Sequence, residues 1–173
     1  MPVSDQGPLR GRYTLIPRTL IFLVRGREVL LLKGAPTKRL WANRYNGVGG
    51  HIERGEDVLG AAQRELIEET GLDVSDLWLC GTITIDTGSE VGIGIYVLWG
   101  EIEGSGNDDA SRARPSDEGS LEWVPIEGID RLPLVEDLYT LLPRVISFTP
   151  GSRPFSAHYA YDDDQKLIIK YRR

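Results

Sequence analysis

Residues 50–72 read GHIERGEDVLGAAQRELIEETGL, and they gather Glu65, Glu68 and Glu69 in one predicted helix with no lysine between them. Like charges three or four positions apart cost about 0.2–0.5 kcal/mol per pair on a solvated helix. The cost rises when the helix packs against a core that excludes water. A Glu-Glu pair by itself is most often a solvated helix face. The rest of the stretch must therefore decide whether this cluster has a function.

Both ends of this helix are well marked. Glu56 and Asp57 supply carboxylates that favour a helix N-terminus, and Gly71 is the residue type that adopts the left-handed capping conformation. A helix turns by about 100° per residue, which predicts one apolar stripe along it. The stripe consists of Val58, Leu59, Ala62 and Leu66. The three glutamates lie at its edge, and Glu69 falls within it.

The glutamate cluster needs a counter-charge. Arg64 is adjacent in sequence but points about 100° away from Glu65, so it is better placed to reach Glu56 than to neutralise the cluster. A divalent cation would offset the repulsion. Carboxylate ligation without cysteine or patterned histidine selects hard ions such as Mg²⁺ or Mn²⁺, which commonly bridge to substrate phosphates. Gly60 in the helix interior gives this functional interpretation weak support.

Composition narrows the class of protein. At 173 residues and 40% hydrophobic content, residues 1–173 are predicted to form one domain. The net charge of −6 and the scattered basic residues disfavour long nucleic acid as a partner. The single cysteine, Cys80, excludes an intrachain disulfide and is predicted to be a buried strand thiol. No signal-peptide pattern or membrane-spanning run occurs, so we expect a soluble cytoplasmic protein without a membrane partner.

The remaining elements are mostly strands. Period-two and β-rich runs predict strands at residues 19–24, 28–32, 78–85, 91–99 and 121–124. A closing hairpin is predicted from residues 155–161 and 166–171. Residues 34–43 and 103–120 have loop composition. A second helix is predicted over residues 134–148, kinked or shortened by Pro143. This order of elements alone indicates only an α+β fold.

The opening stretch resembles the signature box of the Nudix hydrolase family. That box runs Gly, five residues, Glu, seven residues, Arg-Glu, an aliphatic, any residue, Glu-Glu, any residue, Gly, an aliphatic. The defined positions are filled by Gly50, Glu56, Arg64, Glu65, Leu66, Glu68, Glu69, Gly71 and Leu72. A charged block in register over this length is far more specific than a lone glycine motif. The resemblance implies an α+β Nudix fold, a mixed β-sheet sandwiched between helices (α/β/α).

The resemblance also implies a chemistry. Family members hydrolyse a nucleoside diphosphate linked to another moiety, with water attacking phosphorus and Mg²⁺, or Mn²⁺ as a substitute, neutralising the developing charge. The implied metal ligands are the Gly50 carbonyl, Glu65, Glu68 and Glu69. Arg64 and Glu56 would pair with each other and orient the loop and helix that carry those ligands.

The identity of the general base stays open. The family draws it either from the box glutamates or from a carboxylate in a later loop. Glu118, ahead of the predicted strand at residues 121–124, is the candidate for that later carboxylate. The alternative is that Glu118 is an ordinary exposed acid, in a loop that also holds Asp108, Asp109 and Asp117.

Beyond the box, the sequence resembles the MutT-type branch, which hydrolyses oxidised purine nucleoside triphosphates. Residues 44–50, RYNGVGG, are similar to the RWNGFGG stretch of that branch. The implied substrate-binding residues are Lys33, Asn46, Glu136 and Asp137. An amide and a carboxyl, protonated if it must donate, can distinguish an oxidised base. Alternatively, Asn46 only ends a turn before glycine, and the acidic pair only favours a helix N-terminus.

Two departures from the branch bear on the substrate. Leu134 or Val135 stands where the branch has a tryptophan that stacks on the base, and the loop at residues 33–46 is longer. We therefore predict a Mg²⁺-dependent pyrophosphohydrolase that converts a purine nucleoside triphosphate, oxidised or not, to the monophosphate and pyrophosphate. Hydrolysis of ADP-ribose or a dinucleoside polyphosphate, and a non-catalytic nucleotide-sensing module, are the alternatives. A homodimer is left open.

Overall fold

The computed structural model describes Gly7, residues 11–103 and residues 119–172. Within these ranges eight strands form one sheet. The strands are β1 (Thr14–Arg25), β2 (Glu28–Gly34), β3 (Tyr45–Asn46), β4 (Leu77–Ile85), β5 (Val91–Glu101), β6 (Gly119–Pro125), β7 (Phe155–Tyr161) and β8 (Leu167–Tyr171). The helices are α1 (Val58–Thr70), α2 (Leu138–Ile146) and a short 3-10 helix (Ile129–Arg131).

The sheet mixes parallel and antiparallel pairs. Its order is β3-β2-β1-β5-β4-β7-β8, and β6 also pairs with β2. The pairs β1–β5 and β4–β7 are parallel, and the other paired strands are antiparallel. The β1–β5 pair runs from Thr14 opposite Val91 to Val24 opposite Glu101. This long central pair connects the two halves of the sheet.

Strand β1 is buried on both of its faces from Ile21 onward, where its side chains alternate between two cores. Ile21 and Leu23 pack in one core with Leu66 of α1. Phe22 and Val24 pack in the other, which contains the buried residues of α2. Successive side chains of a strand point to opposite faces of a sheet, so the two helices cover opposite faces. The predicted α+β fold, with helices on both sides of a mixed sheet, is confirmed.

The second helix was predicted too long. It spans Leu138–Ile146 rather than residues 134–148. Its predicted first turn instead bridges to β3, where the Tyr45 N–H donates to the Pro133 carbonyl (3.0 Å) and the Val135 N–H donates to the Tyr45 carbonyl (3.0 Å). Backbone groups engaged in this bridge cannot also form a helical turn. β3 itself was not predicted, because two residues are too short for a period-two signal.

Two smaller expectations concern Cys80 and membrane spans. Cys80 is buried in β4 as predicted, and burial raises the pKa of its thiol to about 12. In the part of the chain that the structure describes, no helix combines the length and apolar character needed to cross a membrane.

Candidate active site

Helix α1 is fixed at both ends by local hydrogen bonds. The Asp57 side chain caps the N-terminus by accepting from the Gly60 N–H (2.8 Å). Gly71 ends the helix with φ 73°, and its N–H donates to the Ile67 carbonyl. Both caps satisfy backbone groups that a helix end leaves without partners. The predicted helix and its boundaries are therefore confirmed, with Asp57 as the cap and Val58 as the first helical residue.

The buried face of α1 is rotated slightly from the predicted stripe. Its buried residues are Ala61, Ala62, Leu66 and Thr70. Leu59 is 47% exposed, so its assignment to the apolar stripe was wrong; Ala61 lies on the inner face instead. Gly60 is also exposed, and a Cβ there would meet only the Asp57 side chain, at 3.4 Å. No close packing requires this glycine.

Arg64 connects the helix to the loop before it and to its own glutamates. Its guanidinium donates twice to Glu56, through Nε to Oε1 (2.6 Å) and through Nη2 to Oε2 (2.9 Å). The predicted pairing of Arg64 with Glu56 is confirmed. Nη1 also donates to Glu65 (2.8 Å) and to Glu68 (3.2 Å). The expectation that Arg64 does not neutralise the cluster was wrong. The guanidinium carries five N–H donors at the end of a long side chain, so it binds Glu56 and the cluster glutamates at the same time.

The same contacts hold these groups in their charged forms. Hydrogen bonds from Arg64, and then from the Glu53 backbone N–H, lower the pKa of Glu56 to about 2. The hydrogen bonds to Glu56 and Glu65 raise the pKa of Arg64 above its usual range. Arg64 Nη2 also donates to the His51 carbonyl (3.1 Å). The box loop is thereby tied to the middle of α1 by charge-assisted hydrogen bonds.

Gly49 and Gly50 make close contacts with the carboxylates of α1. The Gly49 N–H donates to Glu69 Oε2 (3.3 Å), and a Cβ at Gly50 would overlap the Glu65 carboxylate. Gly49 has φ 143°, and a Cβ there would overlap the Thr19 carbonyl of β1. The Gly50 carbonyl accepts from the Thr19 N–H (2.9 Å). Only glycine allows the backbone to pass this closely between β1 and the carboxylates.

The donor set suits a hard divalent cation, although the described residues contain no ready-made cage of three or more acidic, cysteine or histidine side chains. Glu65 and Glu68 approach the same Arg64 nitrogen, while Glu65 and Glu69 lie against the glycine loop. Carboxylate and carbonyl oxygens are the ligands that Mg²⁺ and Mn²⁺ prefer. The residues that would hold such an ion are Glu65, Glu68, Glu69 and the Gly50 carbonyl.

A cavity of about 190 Å³ opens beside the glycine loop. Gly49 and Gly50 form part of its wall, so it borders the loop that contacts the glutamates. Its other lining residues come from distant parts of the chain. Among them are Arg18, Trp41, Asn46, Val135, Asp137 and Tyr159. The arrangement joins a partly apolar compartment to an acidic helix.

Two of the predicted substrate-binding residues meet in this cavity. Asp137 is partly buried, and burial, followed by the nearby charge of Glu136, raises the pKa of its carboxyl above the usual range. The backbone N–H groups of Asp137 and Leu138 act on this pKa in the opposite direction, although the Asp137 side chain makes no capping hydrogen bond to α2. Asn46 Oδ1 accepts from the Gly47 N–H (2.8 Å), which is the turn-ending contact of the simpler interpretation. Asn46 nevertheless lines the cavity.

Two other predicted residues do not reach it. Glu136 is exposed, and it is not part of the cavity wall. Lys33 lies 3.9 Å from Glu122 and 5.4 Å from the Tyr45 ring centre, beside a different surface pocket. Side chains alternate along β2, so Lys33 points away from the face that Leu32 presents toward Asn46. Glu118, the candidate general base, lies outside the described residues.

Sequence reasoning missed Arg18, Trp41 and Tyr159. Arg18 and Tyr159 belong to β1 and β7, and only the order of the sheet brings them to one cavity. The sequence offered one indication of a role for Trp41, because a tryptophan is unusual in a polar, exposed loop just before a glycine run.

Comparison with known proteins agrees with this geometry. A family model described as the NUDIX domain matches residues 14–145. The chain therefore belongs to the Nudix family, and it is a hydrolase that acts on phosphoric anhydride bonds.

Individual relatives refine the comparison. The oxidized purine nucleoside triphosphate hydrolase of Mus musculus is 27% identical over 154 residues, spanning 88% of this chain and 90% of that protein. The crystal structure of the MutT protein from Bacillus halodurans superimposes with a TM-score of 0.71 at 25% identity, covering 91% of this chain and 97% of the other. The NUDIX domain of Shewanella oneidensis NrtR, solved with ADP ribose, shares the fold at 13% identity, with a TM-score of 0.64 and coverage of 83% and 96%.

Proposed function

We propose that this Nudix hydrolase cleaves a purine nucleoside triphosphate, preferably one with an oxidised base, to the monophosphate and pyrophosphate. The observation that carries the proposal is the shared wall of Gly49 and Gly50. Both glycines line the cavity that Asn46 and Asp137 also line, and the same two glycines contact Glu69 and Glu65. A nucleotide with its base in the cavity would therefore extend its phosphates toward the glutamates. The similarity to the mouse enzyme supports the same substrate class.

Base recognition would depend on the two polar side chains of the cavity. The raised pKa of Asp137 favours a protonated carboxyl, which offers one O–H donor and one carbonyl acceptor. The Asn46 carbonyl is engaged by Gly47, which leaves its NH₂ group as the donor toward a ligand. An 8-oxopurine presents an N7–H donor and an O8 acceptor where its parent has only an N7 acceptor. A site that pairs with both can discriminate strongly, because the wrong base leaves buried polar groups without partners.

The glutamates would hold a divalent cation, Mg²⁺ or in its place Mn²⁺, which neutralises charge on the phosphoryl oxygens when bound. Glu65, Glu68, Glu69 and the Gly50 carbonyl are its proposed ligands. Arg64 keeps Glu65 and Glu68 oriented, and Glu56 fixes Arg64 in turn. Such orienting partners change affinity or activity by about 10–100-fold in metal sites. The base that activates water is either a box glutamate or Glu118.

Arg18 adds positive charge to the wall of the cavity. Its Nη2 lies 3.0 Å from His51 Nε2, and its buried Nε has no hydrogen-bond partner among the described residues. A cation at this position favours an anionic nucleotide beside the acidic helix. Arg18 is therefore proposed as an electrostatic contributor to substrate binding.

The test is a substrate panel assayed with Mg²⁺ for release of pyrophosphate and phosphate. The panel contains 8-oxo-dGTP, 2-hydroxy-dATP, the ordinary dNTPs, ADP-ribose and a dinucleoside polyphosphate. We expect pyrophosphate from an oxidised purine triphosphate at a much higher kcat/KM than from its parent. Preferred hydrolysis of ADP-ribose or the dinucleotide would reject the proposed substrate while retaining the family. Binding of nucleotide and Mg²⁺ without turnover of any compound would favour a sensing module.

A further inference from the structure

Trp41 borders both the cavity and the space next to it that reaches Glu69. It lines the cavity that holds Asp137, and it also lines an adjoining space of about 110 Å³ that is bordered by Glu69. Its side chain remains 49% exposed. An indole left this exposed loses much of the free energy that burial would provide. Its location is therefore better suited to a ligand contact than to core packing.

The backbone of Trp41 adopts an uncommon conformation that its surroundings maintain. Its φ is 60°, in the left-handed region that bulky residues rarely adopt. The Arg44 N–H donates to the Trp41 carbonyl (3.0 Å), and the Gly34 N–H donates to the Arg44 carbonyl (2.9 Å). The Asn43 N–H closes the loop by donating to the Gly34 carbonyl (2.9 Å). Strained conformations of this kind persist where neighbouring contacts determine them, and they cluster at ligand sites.

Gly34 is required for this arrangement. A Cβ at Gly34 would lie 2.6 Å from the Trp41 carbonyl oxygen, closer than real Cβ contacts allow. The loop can therefore fold back on the end of β2 only because residue 34 has no side chain. The hydrogen bonds and this close approach fix the Trp41 backbone at the mouth of the cavity before a ligand binds.

The segment that carries the acidic pair contributes no aromatic side chain to the part of the cavity wall that the structure describes. Val135, an aliphatic residue, lines the wall there. Tyr159 is only 1% exposed, and Tyr161 lines the cavity but not the space that leads to Glu69. Trp41 is the aromatic residue that borders both compartments among the described residues. A base stacked on it would have its phosphates directed toward the glutamates.

We propose that Trp41 provides the stacking surface for the purine base, from the long loop before the box instead of from the segment beside Asp137. This inference rests on the proposed function. An aromatic face attracts any base by stacking, so Trp41 sets the affinity for the base, while Asn46 and Asp137 select which base is bound.

The experiment compares Trp41→Ala and Trp41→Phe with Trp78→Ala. Trp78 is the matched control, because it is 45% exposed on β4 and does not line either compartment. The substrates are 8-oxo-dGTP and 2-deoxyribose 5-triphosphate, which lacks a base. We expect Trp41→Ala to raise KM for 8-oxo-dGTP by about tenfold or more with little change in kcat, as loss of a base stack predicts. Trp41→Phe should recover most of this loss, and the base-free substrate should be unaffected.

Several results would overturn the inference. Equal losses on both substrates would assign Trp41 a purely structural role in the loop, and an unchanged KM would exclude stacking. Should Trp41→Ala unfold, Trp41→Leu replaces it, because leucine keeps apolar bulk but cannot stack. Thermal unfolding of each variant checks the fold.

A binding readout separates this inference from the proposed function. We expect dGMP to quench tryptophan fluorescence in the wild type and in Trp78→Phe, but not in Trp41→Phe. This signal requires no turnover. Failure of the substrate panel with quenching intact would reject the proposed reaction alone, whereas equal quenching in Trp41→Phe would reject the stacking role.

Discussion

The two ends of the proposed site are built in different ways. The box end comes from one contiguous segment, residues 49–69, in which Arg64 binds Glu56, Glu65 and Glu68. The cavity end is assembled from β1, the long loop, β3, the segment before α2 and β7. One helix and the loop before it form the box end, whereas the cavity end forms only when the strands of the sheet are in place. The box end could therefore be predicted from the sequence, because its residues are contiguous.

Their electrostatics differ as well. At the box end, a guanidinium partner lowers the pKa of the Glu56 carboxyl to about 2. At the cavity end, burial and the charge of Glu136 raise the pKa of the Asp137 carboxyl. A charged partner favours the ionised form, and desolvation favours the neutral form. The same functional group is thus held in its ionised form at one end and shifted toward its neutral form at the other.

The largest effect should come from Glu68→Gln at the box end. Loss of a proposed metal ligand should lower kcat by more than about hundredfold, the upper range for residues that only orient a ligand. Steady-state hydrolysis of 8-oxo-dGTP with Mg²⁺ measures it. Glu127→Gln is the control, because Glu127 is 86% exposed and forms a surface ion pair with Arg27. Wild-type turnover in Glu68→Gln would remove Glu68 from the catalytic machinery.

Gly50→Ala should produce the next largest effect. Its Cβ would displace the Glu65 carboxylate, so we expect a loss of about 10–100-fold in kcat/KM. Gly60→Ala is the matched glycine control, since a Cβ there meets Asp57 only at 3.4 Å. That variant should keep full activity and gain about 1 kcal/mol of stability from helix propensity. Full activity in both variants would show that the position of Glu65 does not limit catalysis.

Asp137→Asn tests the cavity end by its pH dependence. Wild-type kcat/KM for an oxidised purine should fall as the pH rises through the raised pKa of Asp137, because the carboxyl then loses the proton that it donates. The amide does not titrate, so this fall in kcat/KM with rising pH should be absent in Asp137→Asn. Glu136→Gln should retain this fall but at a lower pH, because the nearby charge of Glu136 helps to raise the pKa of Asp137. If kcat/KM of Asp137→Asn falls over the same pH range as in the wild type, the titrating group is a different residue.

The smallest effect should be on stability, in Glu56→Gln. The folded-state pKa of Glu56 lies below its ordinary value of 4.5, so its contribution is present above that value and is lost as the pH falls toward about 2. The stability difference between wild type and Glu56→Gln should therefore shrink from pH 7 to pH 3. Denaturant unfolding at both pH values measures it. A difference that does not change with pH would mean that the Arg64 pair does not govern this ionisation.

The sequence by itself determined α1, its caps and the alignment of its charged residues. Spacing along one helix converts directly into a shared face, so the glutamate cluster could be placed on α1 from the sequence. The roles of Gly50, Glu56 and Arg64 were implied by the resemblance to the Nudix box. Most strands were also predicted, because period-two patterns are local. The pairing of Arg64 with Glu56 was also predicted, and it joins α1 to the loop before it.

Only the tertiary structure decided the composition of the cavity. Strand order brought Arg18 and Tyr159 to the cavity that Asp137 also lines, whereas Lys33 lies at a different pocket. Hydrogen bonds from β3 to Pro133 and Val135 keep these residues out of α2, which begins later in the chain than predicted. The conformation of the long loop places Trp41 in the wall of the cavity. These outcomes depend on contacts between residues far apart in the chain, whose register and side-chain direction local patterns do not encode.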